Sequence, residues 1–199
     1  MLSVSDQIQK RMFDIVLSIV GISLTWWLML LAWITASIET KSNGLFMQTR
    51  IGRDGKPFKV FKIKTMKSVP DIQSTVTTSK DTRITKSGAF FRKTKIDELP
   101  QLFNVLFGQM SFVGPRPDVP GFADRLEGDD RIILSVRPGI TGPASLKYKN
   151  EEALLAKQQD PERYNREVIW PDKVEINKQY VKGWSLKKDI KYILQTVSG

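Results

Sequence analysis

The chain has 199 residues, with 31 Lys and Arg against 21 Asp and Glu, a formal charge of +10, and neither histidine nor cysteine. Those two absences exclude disulfides, Cys-ligated zinc or iron–sulfur centres, thiolate nucleophiles, Ser-His-Asp triads and histidine-bound metals. Any catalysis rests on Asp, Glu, Ser, Thr, Lys or Tyr, and any metal on oxygen ligands, which points to a hard cation such as Mg²⁺.

Residues 1–14 read as a short polar helix with Ser3 or Ser5 as its cap. From Ile15 to Ile38 come 24 residues without a charge. As a helix they reach about 36 Å, slightly more than a hydrocarbon core. The run is too long for a signal-peptide core, and no A-x-A-like site follows it. It is therefore expected to insert in a membrane, either spanning it or entering and leaving by one face. Gly21, Ser23 and Thr25 are where a bend could form. Downstream, Arg50, Arg53, Lys56, Lys59, Lys62, Lys64 and Lys67 face one acid, Asp54, so the positive-inside rule puts the body in the cytoplasm. The domains expected are 1–40, the N-terminal helix and membrane segment, and 41–199, a cytoplasmic body.

Turns are expected at SNG (42–44) and RDGKP (53–57), flanked by strands LFMQTRIG and FKVFKIKTM. In the second strand Phe61, Ile63 and Thr65 share one face and Lys62 and Lys64 the other, where the lysines serve either as a phosphate clamp or as a solvated edge. The Ser/Thr-rich stretch 68–82 reads as a mobile loop, with a lid as one of its uses. Residues 94–108, TKIDELPQLFNVLFG, read as one helix starting near Asp97, with Leu99, Leu102, Phe103, Leu106 and Phe107 as its apolar face and Gly108 as its stop. GPRP (114–117) and RPGITGP (137–143) read as rigid turns. Helical patterns recur near 151–158, 172–182 and 185–197. In the last, Leu186, Ile190, Ile193, Leu194 and Val197 form a stripe read as core in preference to an interfacial face.

The fold class expected is α+β, mainly helical: an N-terminal re-entrant or spanning membrane helix and a small cytoplasmic body with a short β-hairpin and interfacial helices. The positive charge fits an anionic lipid surface, at about 1 kcal/mol per basic residue near it. Nucleic acid is the runner-up, without a recognisable binding motif. Asp97 and Glu98, with Arg92, Lys93 and Lys95 just before them, are the candidate chemical centre. A helix dipole and nearby cations keep such a carboxylate ionised, as nucleophile or metal ligand, and the same groups attract phosphate. The alternative is an ordinary acidic first turn.

The run DTRITKSGAFFRKTKIDELPQLFNVLFGQMSFVGPRP (81–117) resembles the catalytic core of the monotopic phosphoglycosyl transferases, bacterial sugar transferases. RMFDIVLS (11–18), QTRIGRDGKPFKVFKIKTM (48–66) and VRPGITGP (136–143) extend the match, which follows the family's minimal single-domain form. The resemblance implies transfer of a phosphosugar from a UDP-sugar to polyprenyl (undecaprenyl) phosphate, with release of UMP. It places this first membrane step of glycoconjugate assembly at the cytoplasmic face of the bacterial inner membrane. It makes Asp97 the nucleophile, forming an aspartyl-phosphosugar. Glu98 is implied to bind Mg²⁺ with it or to handle protons. Arg92 and Arg116, the latter between Pro115 and Pro117, are implied to hold phosphate and uridine, with Lys62 and Lys64 as weaker candidates. Phosphoryl transfer needs positioning and charge more than His or Cys, in keeping with the composition. Two positions depart from the family pattern: Trp26 and Trp27 stand where a Ser-Pro break is usual, and Asn177 where Asp is common. The competing functions are a membrane-tethered nucleic-acid-binding protein and a non-catalytic assembly scaffold. The sugar and the oligomeric state stay open, a homodimer being compatible.

Overall fold

The computed structural model describes residues 2–67 and 81–198. The loop expected over 68–82 lies, apart from its last two residues, outside them. In chain order come helix α1 (Val4–Thr40), strands β1 (Leu45–Ile51) and β2 (Pro57–Ile63), helices α2 (Lys86–Thr94) and α3 (Gln101–Leu106), and strands β3 (Ser111–Val113) and β4 (Gly139–Thr141). Helices α4 (Pro143–Lys147), α5 (Glu151–Leu155), α6 (Pro161–Tyr164), α7 (Trp170–Lys182) and α8 (Leu186–Ser198) complete it. The fold is mainly helical, with two sheets of two strands each, β1-β2 and β3-β4, among the described residues.

The polar and apolar N-terminal segments form one uninterrupted helix, which at about 1.5 Å per residue is about 55 Å long. Ser3 caps it. Asp6 N–H donates to Ser3 Oγ, and Ser3 N–H donates back to the Asp6 carboxylate, both at 3.1 Å. The helix is long and apolar enough to cross a membrane. Its small side chains Ala32 and Ala36 are buried while Leu24, Trp26, Trp27, Leu31 and Trp33 are exposed, the reverse of a water-soluble core helix. Thr25 Oγ1 donates to Gly21 O at 2.7 Å without interrupting the helix.

The chain divides into two compact units. One comprises Met1–Val16, Thr49–Phe58 and Val105–Gly199; the other comprises Leu17–Gln48 and Lys59–Asn104. In the first, the turn between β1 and β2 has positive φ at both Asp54 (59°) and Gly55 (77°), the conformation favoured in tight hairpins, and Gly52 N–H donates to Lys56 O at 2.8 Å. The RPGITGP segment, expected as a turn throughout, supplies β4, which pairs in parallel with β3 in the register Ser111↔Gly139 and Val113↔Thr141. The reason is a backbone approach that only glycine permits. A Cβ on Gly139 would lie 2.1 Å from Gly114 N, and one on Gly114 would lie 2.5 Å from Arg137 O. The two proline motifs therefore lock against each other.

The first turns of α1 are packed into this same unit. Arg11 donates to Val105 O and Leu106 O at 2.6 and 2.7 Å, and Asp14 accepts from Ser111 Oγ and Phe112 N–H at 3.0 Å each. Lys10 pairs with the fully buried Asp189 of α8. Asp189 also accepts from Trp184 Nε1 at 2.9 Å and lies 2.8 Å from the Tyr180 hydroxyl. Leu2, Val113, Val136, Tyr180, Val181 and Tyr192 form the apolar cluster around this network. Helix α8 bears out the core reading of its stripe only in part: Ile193 packs on this cluster, whereas Ile190, Leu194 and Val197 are 42%, 63% and 81% exposed and Asp189 is fully buried. The buried acid, more than the apolar stripe, orients the helix. Asn177 on α7 is buried with its Oδ1 unbonded.

In the second unit, Ala32 and Ala36 of α1 pack with Ile63, Phe91 and Ile96. At its C-terminal end, Glu39 accepts from the backbone N–H and the hydroxyl of Ser87 at the start of α2.

Candidate active site

The Asp97–Glu98 pair belongs to the second unit, and four features hold it. Thr85 caps α2, its Oγ1 accepting from Gly88 N–H at 3.0 Å. Gly88 lets α2 rest on the chain that follows β2, since a Cβ there would lie 2.2 Å from Thr65 O. The helix then stops at Lys95, a non-glycine residue in the left-handed region (φ 60°), a conformation costing about 1 kcal/mol. Next, Ile96 packs on the Ala32–Ile63–Phe91 cluster, so the 3₁₀ turn Ile96–Glu98 is anchored at its first residue.

The single helix expected over 94–108 is thus divided into this turn and α3, which begins at Gln101 after Pro100. Its expected apolar face is only partly used. Leu102 is buried, Leu99, Phe103 and Leu106 are intermediate, and Phe107 is 64% exposed, while polar Gln101 and Asn104 are buried. Asn104 explains the inversion. Its Oδ1 accepts from Phe61 N–H at 3.0 Å and its Nδ2 donates to Lys59 O at 2.7 Å, so it fixes α3 to β2 as an extra strand would. Neither Asn104 nor the left-handed Lys95 is singled out by the sequence; a lone Asn inside LFNVLF was the available signal.

The clamp on β2 brings Lys62 to Glu98, Nζ to Oε1 at 3.0 Å, with both side chains largely buried. Asp97 is 8% exposed, and its Oδ1 has no hydrogen-bond partner. Its pKa is raised, first because burial strips water from the carboxylate and then because Glu98 repels it; Lys62, Lys95 and Arg92 offset this in part. The expectation that a helix dipole and cations keep Asp97 readily ionised is corrected here. The residue lies before a six-residue α3 rather than in a long helix's first turn, and desolvation exceeds the pull of the cations. Arg92, in the last turn of α2, also reaches Met66 Sδ at 4.0 Å.

Asp97, Glu98, Arg92 and Lys62 are therefore brought together. The two strand lysines have different partners: Lys62 donates to Glu98, and Lys64, past the end of β2, donates to Ser42 Oγ at 2.8 Å. Arg116, Pro115 and Pro117 belong to the first unit. There Pro115 O accepts from Gly139 N–H at 2.8 Å and Pro117 O from Arg50 Nη1 at 3.3 Å, which leaves a rigid loop presenting Arg116 outward. Among the described residues no group of three or more acidic, His or Cys side chains could hold a metal. Asp97 and Glu98 offer two carboxylates, one with an unbonded oxygen.

A desolvated carboxylate among three cations is suited to attack on, or coordination near, a phosphate. The profile of the family described as bacterial sugar transferase matches residues 5–199. The chain belongs to the bacterial sugar transferase family. It is similar to the UDP-glucose:undecaprenyl-phosphate glucose-1-phosphate transferase of Klebsiella pneumoniae, at 36% identity over 96% of this chain and 40% of that protein. The enzyme of the same description from Escherichia coli is 37% identical over 98% of this chain and 41% of its own. A putative undecaprenyl-phosphate N-acetylgalactosaminyl 1-phosphate transferase of Bacillus subtilis is 40% identical over 71% of this chain and 79% of that one. The chain thus spans about two-fifths of the length of the first two relatives. The sugar transferase match takes in α1, the Asp97 turn and the Gly-Pro-Arg-Pro loop alike.

Proposed function

We propose that this sugar transferase moves a phosphosugar from a UDP-sugar to polyprenyl phosphate and releases UMP, through a covalent intermediate on Asp97. The observation that carries the reading is the Asp97 carboxylate, buried and with an unbonded oxygen beside Glu98, Lys62, Lys95 and Arg92. The relatives named for undecaprenyl-phosphate substrates support the lipid acceptor and the nucleotide-sugar donor.

In this reading an Asp97 oxygen attacks the sugar-bearing phosphorus. The bond from that phosphorus to the bridging oxygen breaks, and UMP leaves with the electron pair. The acceptor phosphate then attacks the same phosphorus, and the Asp97 carboxylate leaves. Poor solvation makes this carboxylate a stronger nucleophile than one in water, and attack relieves the cost of keeping its charge buried. Arg92 and Lys95 balance the phosphate charge, Arg116 holds the nucleotide, and Lys62 fixes Glu98. Mg²⁺ fits the donor set, because this ion takes one or two carboxylates and completes its shell with water and substrate phosphate. Asp97 and Glu98 would hold it, and it would neutralise charge on the diphosphate.

Residues 1–40 are the membrane-inserted part and 41–199 the catalytic body at the cytoplasmic face. The stretches before and after the apolar run, 1–16 and 49–58, belong to the same compact unit, in which Asp14 accepts from Ser111 and Phe112. That supports an apolar segment entering and leaving by one face. Cysteines introduced at Ser3 and Asp54 should then be labelled from the same side, and opposite labelling would exclude this path.

The test of function is UMP release from UDP-sugars, dependent on polyprenyl phosphate and Mg²⁺. Glu98→Gln should impair it severely and Asp97→Asn abolish it. Full turnover in Asp97→Asn rejects the assignment.

A further inference from the structure

Glu39 stands in the last turn of α1, where a carboxylate opposes the helix dipole, and that turn carries no basic residue to offset it. Its partner is on the next helix of the same unit. Glu39 accepts from the hydroxyl of Ser87 and, at 3.3 Å, from Ser87 N–H, in the first turn of α2, where a helix favours negative charge. This tie is one end of a longer seat. Ala32, Ala36 and Glu39 follow one another at i, i+4 and i+7, so they share one face of α1. The two alanines are buried against Phe91 of α2 and Ile96 just after it. Helix α2 is thereby held to α1 near both of its ends, across side chains small enough for close approach. Thr85 N–H donates to Thr65 O at 3.0 Å, which fixes where α2 begins. Glu39 is placed to fix the direction it then takes towards Arg92.

We propose that Glu39 is a positioning residue: through Ser87 it sets the direction of α2, and with it the place of Arg92 beside Asp97. The tie stands on its own contacts; its part in the reaction rests on the function proposed above. From Ser87 to Arg92 the helix rises about 7.5 Å, so a tilt at the start of α2 is carried to the guanidinium. The two carboxylates have anchors of their own, Ile96 in the apolar cluster and Lys62 Nζ at 3.0 Å from Glu98 Oε1. Loss of the tie therefore displaces Arg92 from the donor's phosphates and leaves Asp97 in place, which weakens donor binding and spares the chemical step.

The test uses the full chain in detergent and has two readouts. The first is UMP release with UDP-glucose or UDP-N-acetylgalactosamine, whichever is turned over, at fixed polyprenyl phosphate and Mg²⁺. Glu39→Ala should raise KM for the UDP-sugar about tenfold, the loss of roughly one charge-assisted phosphate contact, with kcat changed less than about twofold and KM for polyprenyl phosphate unmoved. Glu39→Gln, whose amide oxygen still accepts from Ser87, should stay within about threefold of the native protein. Ser87→Ala should give an intermediate rise, and the double variant Glu39→Ala with Ser87→Ala should be no worse than Glu39→Ala alone. The second readout is amide hydrogen exchange of peptides covering 86–98 without substrate, which should quicken in Glu39→Ala and Ser87→Ala alike. An unchanged donor KM in Glu39→Ala, no recovery in Glu39→Gln, or additive effects in the double variant overturns the inference. If the native protein turns over neither donor, the function proposed above fails and exchange alone decides: quickening in both variants keeps the tie, and unchanged exchange removes it.

Discussion

Two buried aspartates in this protein have opposite surroundings. Asp189 is fully enclosed, and Lys10, Trp184 and Tyr180 are all in place around it. Asp97 is nearly as enclosed, yet one of its oxygens has no donor and its nearest charged neighbour along the chain, Glu98, repels it. A satisfied buried carboxylate specifies structure: it fixes α8 against the first turns of α1. An unsatisfied one costs stability and is retained where its charge is used in chemistry. The same residue type is thus a fully bonded structural tie at Asp189 and the proposed reactive group at Asp97; an unbonded oxygen alone does not separate the two roles, since buried Asp14 has one too while two donors hold its other oxygen.

The largest expected effect separates the two roles. Asp97→Asn should reduce turnover by at least about 10³-fold while raising the melting temperature at neutral pH. The sign follows from its raised pKa: the fold favours the neutral carboxyl, so the stability Asp97 contributes is present below the ordinary aspartate pKa and lost as pH rises through the folded value. The amide cannot undergo that loss. Thermal unfolding of both proteins from pH 4 to 8 checks it, and the gap between them should widen with pH. Activity in the native protein should run the other way, falling on acidification at a pH above the usual carboxylate range.

Lys10→Met tests the contrasting site. Leaving Asp189 buried without its cation should cost about 3–5 kcal/mol in chemical denaturation, with the turnover of the folded fraction preserved. Lys62→Met is intermediate. Freed from its partner, Glu98 should lose its fixed position, and turnover should drop about tenfold or more with little change in stability. The smallest effect is expected for Leu194→Ser on the exposed side of α8, under about 0.5 kcal/mol in detergent. A loss of several kcal/mol there would mean that the stripe is packed after all.

Much of this could be read from sequence where a local rule is also the deciding one. Ser3 caps α1, Asp54-Gly55 turns the hairpin, and Asp97 with Glu98 marks the candidate centre, because each signal depends on a few neighbouring residues. What failed was decided by distant partners. Periodicity alone put Leu194 and Val197 in the core, but the Lys10–Asp189 pair turns inward the face that carries Asp189, Tyr192 and Ile193. It also ran one helix through 94–108, where Lys95 adopts φ 60° and Asn104 binds a strand over 40 residues earlier. The proline motifs looked like turns until the glycines of one let the other approach. Asp97 was expected to be held ionised by cations whose count is visible in sequence, whereas its burial is not.

The claim at the centre of this account, that an unsatisfied Asp97 is the nucleophile, is tested most directly by mass spectrometry of the full chain after incubation with a UDP-sugar and Mg²⁺ in the absence of polyprenyl phosphate. The account predicts a phosphosugar adduct on the peptide containing Asp97, one equivalent of UMP, and loss of the adduct when the acceptor is added. Acceptor-dependent UMP release with no adduct at any time, or an adduct that persists in Asp97→Asn, would contradict it.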